Sequence, residues 1–381
     1  MIAVALLSIS LAGAAPHITL APPQSVARAR SIASFEQLSQ AANRAREENR
    51  DDEAIPLYKR ALALKPEWQE GLWYLGTLHY EKEQYSDARD VLRRFVALQA
   101  DAGPGWALLG MSEFQTREYP RALDHLQRAM ALGMGDRVEL KRSVFYFATV
   151  LLTRFERYDD SMSMLVRMIA LDQNPDSLIE PAGLAGLRMP LLPAEIPADR
   201  RELVRMAGEA VVALQTQHNQ DGEAIFKRME AAYPNEPGVH FLYGAYLMQT
   251  RPEDGIREMK RELEISPSHV LARVWLAEQY LQQEQVDQAL PFAEEAVKLE
   301  PERASAHMVL GEVRVGAGDV ADGIKELETA RDKDPLTVRT HWDLLRAYSA
   351  AGRAQDAQRE KDEIEKLGRA GSENGSLQDG K

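Results

Sequence analysis

The sequence predicts an all-α solenoid of antiparallel helix pairs, and three observations lead there. Four prolines, Pro234, Pro267, Pro301 and Pro335, form a ladder with nearly equal steps of about 34 residues. Small residues form another: Gly76 and Gly110 each follow a leucine and stand one such step apart, and Gly244, Ala277 and Gly311 repeat the same position later. No stretch competes with the period of two that a strand requires. A fixed period of this length marks stacked supersecondary units.

The physics of such a unit accounts for each rung. Two short helices pack antiparallel, and glycine or alanine at the crossing lets their backbones approach closely. Large residues at neighbouring positions fill the space between units. Proline closes the second helix, because it cannot continue one. A single unit cannot bury its apolar face alone, so neighbours stack.

Taken in order, residues 35–66 supply Ala54, Tyr58, Ala61 and Pro66 after an alanine-rich first half (Ala41, Ala42, Ala45). Residues 69–102 supply Leu72, Leu75, Gly76, Ala88 and Leu92; residues 103–135 supply Trp106, Leu109, Gly110, Ala122, Leu126 and Ala129. Residues 270–301 supply Leu276, Ala277, Tyr280, Ala289, Ala293, Ala296 and Pro301; residues 304–335 supply Leu310, Gly311, Leu327, Ala330 and Pro335. Weaker units cover 142–172, 203–234 and 237–267, and a final one runs 338–367. This arrangement of a large residue, Leu-Gly, Tyr, Ala, an aromatic, Ala and Pro resembles the tetratricopeptide repeat family. The resemblance implies a right-handed α-solenoid of about eight or nine units. It also implies a concave surface, lined by the first helix of each unit, that binds peptides or single helices.

Composition narrows the partners. The chain has 381 residues, 45% hydrophobic and 28% charged, with a formal net charge of -13. An acidic surface repels phosphate backbones, so nucleic acid is not an expected partner. The absence of cysteine excludes disulfides, thiolate metal sites, a cysteine nucleophile and a lipoprotein-type anchor.

Residues 1–15 read as a signal-like segment: an apolar run with Ala12-Gly13-Ala14 in the small-x-small arrangement, followed by Pro16. The run is shorter than the ~20 residues of a spanning helix, and no other segment could span a membrane. No basic residue precedes it; the first is Arg28. An exported chain, periplasmic or secreted and of bacterial source, is the expectation, with a cytoplasmic location as the alternative. A mobile arm is expected over 16–31 and a first array over 32–172. A proline-rich insert follows over 173–198, then a second array with a charged capping helix over 199–370, and a disordered tail over 371–381. The insert is apolar as well as proline-rich, so Leu184, Leu187, Met189, Leu191, Leu192 and Ile196 are expected to be buried, as a connector or in the chain's own groove.

Enzyme motifs are missing: there is no GxSxG and no HExxH. The stretch Gly318 to Lys325 fails as a phosphate loop because the lysine falls one place late and no Ser or Thr follows. Asp332 and Asp334 open like a calcium loop, but Pro335 follows and the required glycine is absent. His240, His307 and His341 share one register and are read as packing residues, with no carboxylate consistently paired to them. Asp159-Asp160 and Glu294-Glu295 are read as helix-start and solvent-face residues. The expectation is a non-catalytic protein without cofactor or metal.

The family resemblance places Asn43, Trp73, Thr77, Tyr80, Met111 and Phe114 on the groove in the first array. In the second it places Phe241, Ala245, Met248, Val274, Glu278, Leu281, Met308, Glu312, Trp342 and Arg346. Aromatic and methionine side chains on such a face suit recognition. The family's carboxylate clamp is not matched, because Ser39 and Ala107 stand where basic residues are needed. The expected function is a scaffold or adaptor that binds other proteins or peptides, with no nucleic acid and no stable membrane span after signal removal. The alternatives are an accessory subunit of an envelope assembly, secretion or glycan-handling machine, and a carbohydrate binder or unrecognised enzyme.

Overall fold

A computed structural model describes the backbone of residues 24–171, 175–215 and 219–376. Among these residues there are nineteen α-helices and no strand. The signal-like segment 1–15 lies outside the described residues.

Two compact units divide the chain, one ending at Leu140 and one starting at Lys141. The first holds three helix pairs: α1 (Gln24–Glu47) with α2 (Asp51–Leu64), α3 (Gln69–Glu81) with α4 (Tyr85–Leu98), and α5 (Gly103–Gln115) with α6 (Tyr119–Leu132). Helix α1 reaches back to Gln24, so part of the expected arm is helix, continuous with the first helix of the first pair. Helix α7 (Val138–Arg154) begins before the boundary and is followed by α8 (Tyr158–Leu171).

The second unit continues with α9 (Ile179–Gly186), α10 (Arg201–Gln215) and α11 (Asn219–Ala232). Pairs follow: α12 (Val239–Thr250) with α13 (Pro252–Ile265), α14 (Val270–Gln282) with α15 (Val286–Leu299), α16 (Ala304–Gly316) with α17 (Val320–Lys333), and α18 (Val338–Ala350) with α19 (Ala354–Ser376). Helix α19 extends to Ser376, into the stretch expected as tail.

In three of the pairs the crossing is set by a leucine lying over a glycine. A Cβ added at Gly76 would meet Leu92 Cδ2 at 2.7 Å; at Gly110, Leu126 Cγ at 2.9 Å; at Gly311, Leu327 Cγ at 2.6 Å. The leucine stands sixteen residues after the glycine each time. Where the first helix carries Ala277, the residue sixteen further on is Ala293, and both are fully buried. One methyl gained on one side is matched by a smaller side chain on the other, as close packing requires.

Turns repeat as strictly. Asn49, Glu83 and Arg117 are left-handed and recur at the same step as the glycines, and so do Glu284, Gly318 and Gly352. At each, paired backbone bonds close the first helix, as in Glu83 N to Tyr80 O (2.9 Å) and Gln84 N to His79 O (2.9 Å). These bonds satisfy carbonyls that the helix end would orphan. Pro267, Pro301 and Pro335 each follow the residue capping the second helix.

The proline-rich segment is mostly core. Pro181 to Gly186 of α9 are buried. Leu184, Leu187 and Ile196 join a cluster with Leu203, Val204 and Phe226, while Met189 and Leu191 pack partly buried against it and Leu192 is buried. Pro181 stands in the first turn of α9, where a missing N–H costs nothing, and Pro175 and Pro193 open 3-10 turns. Gly183 and Gly208 have no room for a Cβ, which would meet Val204 O or Ile179 O; α9 and α10 therefore touch backbone to backbone.

Gly110→Ala is expected to lower the melting temperature despite alanine's better helix propensity, because overpacking by one methyl costs about 1–3 kcal/mol. Combined with Leu126→Ala it should cost less than the two single changes summed. A double-mutant cycle by thermal unfolding measures that coupling.

Candidate functional site

The first helices α14, α16 and α18 lie side by side. On them Glu278 and Glu312 hold equivalent positions in successive repeats, and Arg339 at the start of α18 binds both. Its Nη1 donates to Glu278 Oε1 at 2.8 Å and its Nη2 to Glu312 Oε2 at 2.9 Å. Asp343, one turn along α18, keeps its Oδ2 3.9 Å from Arg339 Nε, and its Oδ1 is paired with Arg346. Arg339, Trp342 and Arg346 share one face of α18 through the i, i+3, i+7 spacing. Asp343 is only 4% exposed and Trp342 is 48% exposed. Burial pushes the Glu312 carboxyl up to about 8, reinforced by the neighbouring Asp343 carboxylate and opposed by Arg339.

Other expected groove residues are spent on packing. In the second unit Met308 is buried and accepts from Thr340 Oγ1 at 3.5 Å. Met248 is buried where α12 meets Gly255 of α13. Phe241 is buried against His269, with ring centroids 4.4 Å apart. Val274 is buried, while Ala245 and Leu281 pack partly buried against the same core. In the first unit Met111 is buried, accepting from Tyr80 Oη at 3.9 Å. Trp73 packs on Phe95 (5.4 Å), Tyr80 on Tyr85 (5.4 Å) and Phe114 on Tyr119 (5.5 Å). Asn43 accepts from Tyr58 Oη at 2.6 Å, and Thr77 Oγ1 donates to the Tyr74 carbonyl at 2.9 Å. These side chains stand half-buried, each held by its neighbour.

The repeated histidines do have carboxylate partners, which corrects the expectation. His240, His307 and His341 bond through Nδ1 to Glu258 (2.6 Å), Glu326 (2.7 Å) and Glu360 (2.6 Å). Their Nε2 atoms bond to the carbonyls of Pro234 (2.9 Å), Pro301 (2.9 Å) and Pro335 (3.0 Å), six residues back. The ring thus ties the first helix to the second and to the preceding turn. Trp106 fills the same role: its Nε1 donates to the Ala100 carbonyl at 3.0 Å and its ring packs on His125. Glu230 joins His240 and Glu258 in a group whose ligand atoms could gather round a metal ion. A metal would first have to displace the bonds that already hold both ring nitrogens of His240.

The second unit also holds a cavity of about 550 Å³ at the turns before α8 and α16. Arg188 of the insert stands on its wall, stacked over the Tyr158 ring at 4.3 Å, and Tyr158 Oη donates to the Arg188 carbonyl at 2.9 Å. Arg303 faces it, paired with Asp159 at 3.5 Å. Sequence reasoning gave no role to Arg188, Arg303, Arg339 or Asp343.

Tetratricopeptide repeat family models match residues 39–105, 75–137 and 280–339. These segments are tetratricopeptide repeats. Solved structures resemble parts of the chain at low identity. A MamA structure from Desulfovibrio magneticus RS-1 is 21% identical, covering 46% of this chain and 96% of that one, with a TM-score of 0.37. A MamA double mutant is 20% identical, covering 43% and 93%, with a TM-score of 0.40. The Cut9–Hcn1 hetero-tetramer structure of the APC/C is 11% identical, covering 90% and 89%, with a TM-score of 0.39. No curated protein sequence matches the chain. No helix among the described residues is long and apolar enough to cross a membrane.

The tie made by His240 makes the stability of the second unit depend on pH. Burial opposes the charge on His240, but Glu258 and the Pro234 carbonyl outweigh it and raise the imidazole pKa. The stabilisation is therefore complete below the unfolded pKa and is lost as pH rises through the folded one. The melting temperature should fall between pH 6 and pH 8.5, and the fall should be smaller in Glu258→Gln. Equal falls in both proteins would remove this assignment.

Proposed function

We propose that this repeat protein is a non-catalytic scaffold that binds a polypeptide segment across α14, α16 and α18. The observation that carries the reading is Trp342, a large aromatic residue half exposed beside an ordered set of charged side chains. Most other large groove residues are already spent on packing. An aromatic anchor beside charged groups of fixed geometry is what recognition of a polypeptide uses. Repeat arrays of this family are protein-interaction modules. The apolar run over residues 2–15 supports an exported location, which fractionation of the producing cell tests.

A photo-crosslinking amino acid placed at position 342 should trap a polypeptide in the producing cell. The same group at position 361, on the exposed side of α19, should not. Trp342→Ala should reduce co-purification of the trapped partner at least fivefold without changing the melting temperature. Equal trapping at both positions would remove the reading.

A further inference from the structure

We infer that the cavity between the proline-rich segment and the start of α16 binds a small organic monocarboxylate, its carboxylate seated between Arg188 and Arg303. The site is independent of the scaffold reading. It lies at the turns that open α8 and α16, not on the helix faces proposed for a polypeptide.

Space and a cation without a counterion coincide here. The cavity, about 550 Å³, has the size of a small-molecule site, and a single acidic side chain would fill only a small part of it. Arg188 is half-buried on its wall. Its guanidinium stacks on the Tyr158 ring at 4.3 Å, and its carbonyl accepts from Tyr158 Oη at 2.9 Å. Its backbone is left-handed, with φ 55°, directly after the buried Leu187. The head is held in place, yet among the described residues no group accepts a hydrogen bond from it and no carboxylate is paired with it. Its N–H donors are left open.

The charges of the lining decide what the ligand carries. Most are already matched: Arg157 binds Asp160, Glu302 binds Lys333, and Asp334 accepts from Thr337 Oγ1. Arg303 is divided between Glu300 and Asp159. Glu156 is exposed, where solvent and salt screen it. Arg188 is the cation left over.

The field around Arg188 is positive. Burial, and then Arg303, hold the Arg188 guanidinium below its usual range. Burial, then Arg188 and Arg303, push the nearby His269 imidazole down to about 4, so the ring is neutral. Its Nδ1 accepts from Ala272 N at 3.3 Å, which puts the proton on Nε2, and Nε2 is buried without an acceptor. Ala304 and Ser305 on the same wall add N–H groups of the kind a helix start leaves unpaired. Donors and positive charge here exceed the acceptors. A carboxylate supplies one negative charge and matches the planar guanidinium fork. A phosphate monoester would bring about two charges against Asp159 and Glu300. The Tyr158 ring, Pro301 and Ala304 give apolar wall for the body of the ligand.

The test titrates the full chain into hexanoate labelled with 13C at its carboxyl carbon, at pH 7, and follows that line by NMR. Hexanamide, hexylamine and adipate serve as competitors. Hexanoate should bind saturably at millimolar concentration, hexanamide and hexylamine should not displace it, and adipate should compete at least fivefold more weakly. Arg188→Gln and Arg303→Gln should each weaken binding at least tenfold, while Lys325→Gln, whose charge pairs with Asp322 on α17, should leave it unchanged. Asp159→Asn should tighten binding at least threefold, because it releases Arg303 and removes a negative charge from the wall. Misfolding cannot produce that gain, so Asp159→Asn decides if Arg188→Gln fails to fold. Absence of saturable binding, displacement by hexanamide, adipate binding as tightly as hexanoate, or full binding by Arg188→Gln overturns the inference. Acetyl-Ala-Glu-Ala-amide binding more tightly than hexanoate would also overturn it, and would assign the cavity to an acidic side chain of a polypeptide.

Discussion

A leucine lying over a glycine, sixteen residues earlier, is the contact on which the rest of the structure depends. Gly76, Gly110 and Gly311 have no room for a methyl group, so the two helices of these three pairs meet at a distance that a larger residue would not allow. That distance fixes where the next pair can stack. Each fully buried leucine here contributes about 1.5–3 kcal/mol, but only once the partner helix is in place. Stability is therefore shared between neighbours and not owned by single units.

Stacking uses up most of what the first helices carry. Met308, Met248, Phe241 and Met111 are drawn into the core, and the histidines at the start of these helices tie neighbouring segments together. What remains free for other molecules is smaller than the family pattern suggests, and in the second unit it is centred on α18. There Trp342 stays half exposed beside the carboxyl groups that Arg339 gathers. The proposed activity follows from what packing has left over.

The helix pairs were legible in the sequence because proline, glycine and alanine each have a backbone reason to recur. The left-handed turn ladder was not, because Glu83, Arg117 and Glu284 occupy positions where glycine would have announced it. The partners of the histidines were missed for a different reason. Glu258, Glu326 and Glu360 lie 18 or 19 residues away on the second helix, a separation no single-helix pattern connects. Arg339 was invisible because its meaning depends on Glu278, 61 residues earlier, being brought beside it by two stacked units. The groove residues illustrate the same limit: register says which face a side chain occupies, but only the neighbours decide whether that face is covered.

Hydrogen exchange along the whole chain after Gly311→Val tests the central constraint most directly. If stacking rests on that close approach, protection should fall most in α16 and α17, less in α14, α15, α18 and α19, and not at all in α2 to α6. Unchanged protection in α16 and α17, or an equal loss in every helix, would contradict it.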